Sequence, residues 1–231
     1  MRHLLVALVA AAAPAITLAA ADEQTAWGAW FASTALQDRW SLTSDVQLRS
    51  ADDRDGLRNT LLRGGLTLRI DDRRNATAGY AWIGTHDNRG PDLVEHRLWQ
   101  QFVVTDTLAG AAVQHRFRLE QRFVEPRPGA ERLFSQRARY FVRGVKPLRG
   151  TGGAFREGPF VALQNEMFLT VQHAANTNGR LFDQNRAYVA LGWRIERRFD
   201  IELGYLNQHV QRRGDALSNH VLQLAFYSRL P

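Results

Sequence analysis

The chain has 231 residues, which is enough for one domain with a full core or for one membrane barrel. Its formal net charge is +7, and Lys146 is the single lysine among 30 basic residues. There is no cysteine, which excludes disulfides and any anchor attached through a lipidated cysteine.

The first 21 residues have the pattern of a secretory signal peptide. Arg2 precedes the unbroken apolar run Leu4–Ala13, and Ala19 and Ala21 occupy the two positions that a signal peptidase reads. We therefore predict a signal peptide over residues 1–21. No later stretch approaches the ~20 apolar residues of a membrane-spanning helix. Because an exported protein rarely meets nucleic acid, the basic charge does not predict a nucleic-acid partner.

The rest of the chain alternates apolar and polar side chains over segments of about ten residues, as strands that cross a membrane do. In the clearest segment, Val113–Phe123, arginines alternate with large apolar residues. The well-patterned segments are, in chain order, Trp40–Arg49, Leu62–Ile70, Val113–Phe123, Arg137–Arg143, Val161–Leu169, Arg186–Ile195, Phe199–Gln208 and Leu222–Phe226. Weaker segments are Trp27–Ala35, Ala76–Gly84 and Glu95–Val104.

The links between these segments alternate in length. Short links fall near residues 37–39, 71–73, 106–110 and 196–198, and longer ones at 51–59, 86–92, 125–131, 174–183 and 211–218. The link over 147–158 is of intermediate length. Short turns at one mouth and longer loops at the other are typical of outer-membrane barrels.

We therefore predict an all-β fold, with residues 22–231 forming one antiparallel, up-and-down transmembrane β-barrel of ten to twelve strands. The alternating segments number eleven, whereas single-chain bacterial barrels have even numbers. Ten strands would begin at Trp40 and leave Trp27–Ala35 as an extension or a misread strand. Twelve strands would need one more, near Thr151–Arg156.

A soluble lipocalin-like barrel or a β-sandwich also alternates, with its apolar face inside. Two features favour the membrane barrel. The segments are long compared with soluble strands, which usually have about 5–6 residues. The polar faces are rich in arginine with carboxylates between, as expected of a lumen wall that contains ion pairs.

Arginine and glutamate side chains on the polar faces form the candidate site. The predicted lumen charge network consists of Arg97, Arg116, Arg118, Glu120, Arg122, Arg137, Arg139, Arg143, Glu166 and Arg186. Glu95 and Glu202 are further candidate counterions. Two interpretations stay open. The network is a packed salt-bridge core that closes a small barrel, or it attracts phosphate, carboxylate or lipid headgroups.

The sequence predicts an outer-membrane location, outer-membrane lipids as partners, a monomer, and small anions or lipid headgroups as further candidate partners. The leading function is a structural or anion-binding barrel, and the alternatives are a narrow anion-selective pore and a lipid-modifying enzyme. No catalytic Ser-His-acid group, no H-E-x-x-H motif and no phosphate-binding loop stands out, so we predict no cofactor and no metal and leave the catalytic residues open.

Six phrases follow one another in a recognisable order, and they are Glu95–Gln101, Arg116–Arg122, Arg137–Tyr140, Asn165–Phe168, Phe182–Arg186 and Glu202–Leu206. Together they resemble a large family of uncharacterised bacterial outer-membrane proteins, the domain of unknown function 2490 family. The likeness extends from about Trp27 to the end, and R-x-R-x-E-Q-R is its most specific part. The resemblance implies an exported β-barrel and no particular reaction.

Overall fold

The computed structural model describes residues 20–50, 56–86, 90–149 and 155–231, and these form eleven β-strands. The strands are β1 (Ala20–Gln37), β2 (Trp40–Ser50), β3 (Leu57–Arg69), β4 (Arg74–Thr85), β5 (Leu93–Leu108), β6 (Ala111–Val124), β7 (Leu133–Pro147), β8 (Gly158–Gln172), β9 (Phe182–Glu196), β10 (Phe199–Gln211) and β11 (Ala216–Leu230). The described part of the chain contains no helix long and apolar enough to cross a membrane. Residues 1–19 of the predicted signal peptide lie outside the described ranges, and Ala20 and Ala21 begin β1.

Each strand pairs with its neighbours in sequence, and the sheet closes into a barrel where β1 meets β11. Ten of the pairings are antiparallel, but β1 runs parallel to β11, with Ala20 opposite Ala216 and Thr34 opposite Leu230. Closure leaves no free edge, so every strand has a partner on both sides.

The predicted barrel of ten to twelve strands is confirmed, but the expectation of an even number is wrong for the described strands. Trp27–Ala35 is neither an extension nor a misread strand, because it forms the middle of β1. The parallel seam with β11 makes an odd number possible. Of the proposed extra strand near Thr151–Arg156, residues 151–154 lie outside the described chain, and Phe155 and Arg156 are not in a strand.

Successive side chains of each strand alternate between the outer and the inner face of the barrel. In β2 the odd-numbered residues are partly buried inside, while Trp40 and Leu42 are exposed on the outer face. The same pattern exposes large apolar side chains all round the barrel, among them Leu66, Phe102, Leu163, Leu191, Trp193, Leu203 and Phe226. A closed barrel with an apolar outer surface and a charged interior is the arrangement of a membrane barrel rather than of a soluble one.

Polar side chains on the outer face pair across neighbouring strands. The pairs are Tyr80–His96 (2.5 Å), His115–Tyr140 (2.9 Å), Tyr205–His220 (2.6 Å), Gln100–Gln121 (3.1 and 3.2 Å) and Asn165–Asn185 (3.0 and 3.2 Å). Because lipid supplies no hydrogen-bond partners, such pairing lets these groups stay on an outer surface.

The two mouths of the barrel differ. The turn mouth, where β1 joins β2 and β9 joins β10, has two-residue connections at three of its five links. At a fourth, Asp71 closes the turn by accepting hydrogen bonds from the backbone N–H groups of Arg73 and Arg74, at 2.9 and 2.8 Å. The Arg74 side chain also donates to Asp71 and lowers the pKa of its carboxyl below the usual value. The opposite end is the loop mouth.

Because β1 runs parallel to β11, its first residue lies at the loop mouth while the last residue of β11, Leu230, lies at the turn mouth. A disulfide tests this seam, since the natural chain has no cysteine to interfere. Gly28 and Leu224 are register partners on the outer face, and a Cβ at Gly28 meets nothing within 4 Å. Register partners on adjacent strands lie within the Cα separation that a disulfide spans.

We expect the double variant Gly28→Cys/Leu224→Cys to form an intramolecular disulfide, seen as a shift in gel mobility that a reductant reverses. The control Gly28→Cys/Leu230→Cys places the thiols six residues apart along the seam, about 20 Å, and should not cross-link. A ten-strand barrel without β1 would give no cross-link in either variant.

Candidate functional site

The lumen contains a chain of buried ion pairs centred on Glu120 in β6. This side chain is 2% exposed, and its Oε2 accepts hydrogen bonds from Nε and Nη2 of Arg137, at 3.0 and 2.6 Å. Its Oε1 accepts a hydrogen bond from Nη1 of Arg139. Arg97 and Arg118 each bring a guanidinium nitrogen to 3.8 Å from the same carboxylate. One buried carboxylate thus faces four arginines on three adjacent strands.

Glu166 in β8 is the second centre of the chain. Its Oε1 accepts hydrogen bonds from Arg116 at 2.7 Å and from Nε and Nη2 of Arg139 at 3.0 and 2.7 Å. Arg139 therefore joins the carboxylates of Glu120 and Glu166. A charge shared in this way is held in place, because each guanidinium has donors in a fixed planar fork.

Glu95 in β5 is the third centre, nearest the loop mouth. Arg97 and Arg122 each donate two hydrogen bonds to its carboxylate, at 2.6 and 2.9 Å and at 2.6 and 3.2 Å. The three carboxylates and their arginines form a continuous ionic layer on the inner face of β5–β8, which we call the ionic wall.

Several ion pairs join strands that are not adjacent, and besides the Arg116–Glu166 pair they include two from β7. Arg143 of β7 donates to Glu202 of β10, passing in front of β8 and β9, and its guanidinium also lies 5.4 Å from the ring of Tyr227 in β11. Arg137 donates to Asp183 of β9 at 2.9 Å. Side chains that reach across the lumen in this way narrow it, as expected for a barrel of this size.

Arginine guanidiniums stack on the faces of aromatic rings in the lumen. The Trp99 ring lies against Gly65 in β3 and Gly79 in β4. A Cβ atom at Gly65 would come within 2.6 Å of the ring and one at Gly79 within 2.5 Å, so only glycine leaves room for the ring at these positions. The guanidinium of Arg118 lies 4.5 Å from the Trp99 ring centre and donates to Gln101. Stacking on a ring holds a guanidinium in a defined position.

The ten residues of the predicted lumen network all face the interior. Nine of them make ion pairs with one another or with Glu95, Asp183 or Glu202, whereas Arg186 makes none among the described residues. Sequence analysis had placed Glu95 and Glu202 only as candidate counterions, and the structure pairs both with arginines.

The sequence analysis missed other charged lumen residues. These are Asp45, Arg49, Arg63, Lys146, Arg149, Arg156, Glu157, Asp183, Arg194, Asp200 and Arg229. Alternation alone would have placed Arg49 and Arg63 inside, since both lie on the polar faces of well-patterned segments. Alternation does not predict an inward position for Asp183. The pairing of β8 with β9 shifts its register between Phe168 and Leu169, and at this irregularity the Asp183 carboxylate reaches Arg137.

The lumen encloses a cavity of about 1620 Å³. At one end it reaches Ala109 and Gly110 in a connection of the turn mouth, and at the other it reaches Thr85, the last residue of β4. Fifteen basic and seven acidic residues line the cavity. Its walls therefore carry an excess of positive charge even where the ionic wall is paired.

No group of three or more metal-binding side chains occurs in the described ranges. The nearest arrangement to a catalytic triad is at the loop mouth, where His86 lies 2.8 Å from Asp92 through Nδ1 and 3.2 Å from Thr60 through Nε2. The side chain of Asp92 is 60% exposed, so a solvated carboxylate orients this imidazole, and we assign it no catalytic role.

Comparison with known proteins places the chain in a family. The family described as protein of unknown function (DUF2490) matches residues 24–219. The chain belongs to this family. One relative, an uncharacterised protein of Methylorubrum extorquens (strain AM1), is 26% identical over 189 residues, which cover 80% of this chain and 79% of the relative.

Among solved structures, the NanC porin is similar to this DUF2490 protein. The match has a TM-score of 0.50 and 10% identity, and covers 84% of this chain and 93% of the porin. At this level of identity the similarity shows a porin-like fold and nothing about the solute. The family resemblance found in the sequence is thus confirmed, and so is the all-β barrel.

The central place of Glu120 leads to a prediction. Glu120→Gln removes the charge that Arg137 and Arg139 share, leaving buried guanidiniums with too little compensation. Breaking a buried ion pair in this way costs about 3 kcal/mol or more. We expect the folded barrel to lose its heat-modifiable gel mobility at a lower temperature than the natural protein.

Glu131→Gln is the matched control, because it makes the same chemical change at a residue that is exposed in the connection between β6 and β7. Its transition temperature should stay at the natural value. Equal transition temperatures for both variants would show that the ionic wall does not stabilise the barrel.

Proposed function

We propose that the protein is an exported outer-membrane β-barrel whose lumen admits small anions in preference to cations. The observation that carries this proposal is the lining of the cavity, in which fifteen basic residues face seven acidic ones. A pore with cationic walls attracts anions and repels cations, and the effect is strong in a narrow lumen where the solute cannot keep away from the wall.

The location in an outer membrane is supported by three features that do not depend on the lumen. The outer face exposes large apolar side chains all round the barrel, four of the five connections at one mouth are short, and the fold is similar to that of a porin. The signal-peptide pattern at the N-terminus supports export. We propose a monomer in contact with outer-membrane lipids, because a closed sheet leaves no edge for a second copy.

The ionic wall has a supporting role in this proposal. Its six arginines outnumber its three glutamates, so the wall keeps positive charge while its ion pairs join the inner faces of β5–β8. Basic residues of the lining that have no carboxylate partner among the described residues add to this charge, and they include Arg149 and Arg156 in the connection between β7 and β8.

Fractionation tests the location. We expect the natural protein in the sarkosyl-insoluble outer-membrane fraction, and a gel mobility that differs between boiled and unboiled samples. Recovery in the soluble periplasmic fraction with a single mobility would contradict the membrane barrel.

Reversal potentials in planar bilayers test the selectivity. In a KCl gradient we expect a sign that reports chloride as the more permeant ion. Arg149→Gln/Arg156→Gln should lower this selectivity severalfold, because it removes two charges from the cavity lining without touching the ionic wall. Arg198→Gln, in the turn between β9 and β10 and away from the lining, should leave it unchanged. Cation selectivity, or no conductance by folded protein, would refute the proposal.

A further inference from the structure

Two arginines differ from the other arginines that line the cavity from the strands. Arg49 in β2 and Arg186 in β9 have no carboxylate oxygen within ion-pair distance in the described chain. Arg49 donates one hydrogen bond, at 2.8 Å, to the neutral Gln47, and Arg186 makes no hydrogen bond to a described residue. The Nε atoms of both are buried and have no partner.

The two arginines meet at one indole ring. The guanidinium carbon of Arg49 lies 4.1 Å from the Trp27 ring centre, and that of Arg186 lies 5.2 Å from it. Arg186 also lies 4.9 Å from the ring of Phe168. Two like charges therefore share one aromatic ring, and neither forms an ion pair with a carboxylate of the described chain. Such an arrangement is costly unless an anion joins it.

The nearest carboxylate does not supply that anion. Glu166 is the register partner of Arg186, but its Oε1 already accepts hydrogen bonds from Arg116 and Arg139. On the other side the register partner of Arg186 is Gln208, and that of Arg49 in β3 is Asn59. These two register partners are neutral, and Asp45, the carboxylate on the same face of β2 as Arg49, pairs with Arg63 at 3.0 Å.

Neutral hydrogen-bonding groups continue along this side of the lumen. Gln208 donates to Gln184 at 2.5 Å, and Thr25 donates to Asn219 at 2.9 Å. Amides and hydroxyls can form hydrogen bonds with an uncharged part of a solute, but they cannot neutralise the charge of a guanidinium. The missing element of the site is therefore negative charge and not polarity.

We propose that Arg49, Arg186 and Trp27 form a binding subsite for the oxyanion group, carboxylate or phosphate, of a small solute in the lumen. This inference rests on the proposed function, because the lumen must admit anions for the subsite to be reached. Planar guanidiniums match the paired oxygens of carboxylate and phosphate, and the fixed aromatic supports hold them ready to bind. The subsite holds an anion in the passage, whereas the mouth charges only attract one.

The proposed subsite predicts that the heat stability of Arg186→Gln, relative to the natural protein, depends on whether an anion is present. Without a bound anion, the variant should be more heat-stable than the natural protein, because it removes repulsion between Arg49 and Arg186. With an anion, the natural protein should gain stability that the variant does not, since a ligand stabilises only a state that binds it. A purely structural arginine would instead lower stability when replaced.

The experiment uses the folded full-length mature barrel in detergent, titrated with inorganic phosphate and separately with acetate, with NaCl adjusted to keep the ionic strength constant. Isothermal titration and the thermal transition are the readouts. We expect saturable binding of phosphate or acetate, weakened about tenfold or more in Arg49→Gln and in Arg186→Gln, since each loses charge-assisted hydrogen bonds. The two probes tell a phosphate site from a carboxylate site.

Arg69→Gln is the matched control, because Arg69 is exposed at the end of β3, does not line the cavity, and gives the same change in net charge. It should bind the probe as the natural protein does. Equal affinity in Arg186→Gln and the natural protein, or no saturable binding of either probe, would overturn the subsite.

Bilayer measurements separate this inference from the proposed function. Chloride selectivity without saturable phosphate or acetate binding refutes the subsite and leaves the selective passage standing. Saturable binding that depends on Arg49 and Arg186, in a barrel that does not conduct, supports the subsite and refutes the passage.

Discussion

The structure depends on the need to compensate charge inside a narrow closed sheet. Eleven strands leave too little width for every arginine to be hydrated, so most guanidiniums must find carboxylates in the wall itself. Glu120 meets this need for Arg137 and Arg139, and Arg139 carries the connection on to Glu166. The strands that bear these residues are consecutive, so the ion pairs also fix the register in which β6, β7 and β8 pair.

Charge compensation in the lumen is local, and it leaves some arginines without an ion pair. The ionic wall pairs each of its arginines with a shared carboxylate, while Arg49 and Arg186 form no ion pair among the described residues. The lumen thus has one side rich in ion pairs and one side where two arginines have no such partner. The subsite that we propose lies on the second side.

The sequence was enough to derive the fold because membrane strands repeat a simple rule. Arg118 and Leu119 must face opposite sides, and no soluble core would accept so many arginines on one face of successive strands. The rule failed at β1, where Trp27 faces inward and Trp30 outward, so that hydropathy could not tell the two faces apart. It failed again at Asp183, because a shift in register cannot be read from residue types. The pairing of Arg139 with two carboxylates depends on such registers, and only the structure supplied it.

The parallel seam has a consequence for how the chain is delivered. A sheet that closes between two parallel strands has an odd number of strands, so the start of β1 and the end of β11 lie at opposite mouths. If the short turns face the periplasm, the start of β1 lies on the far side of the bilayer and Leu230 lies on the periplasmic side. Closure of the barrel then needs the first and the last strand together, because each supplies one edge of the parallel seam.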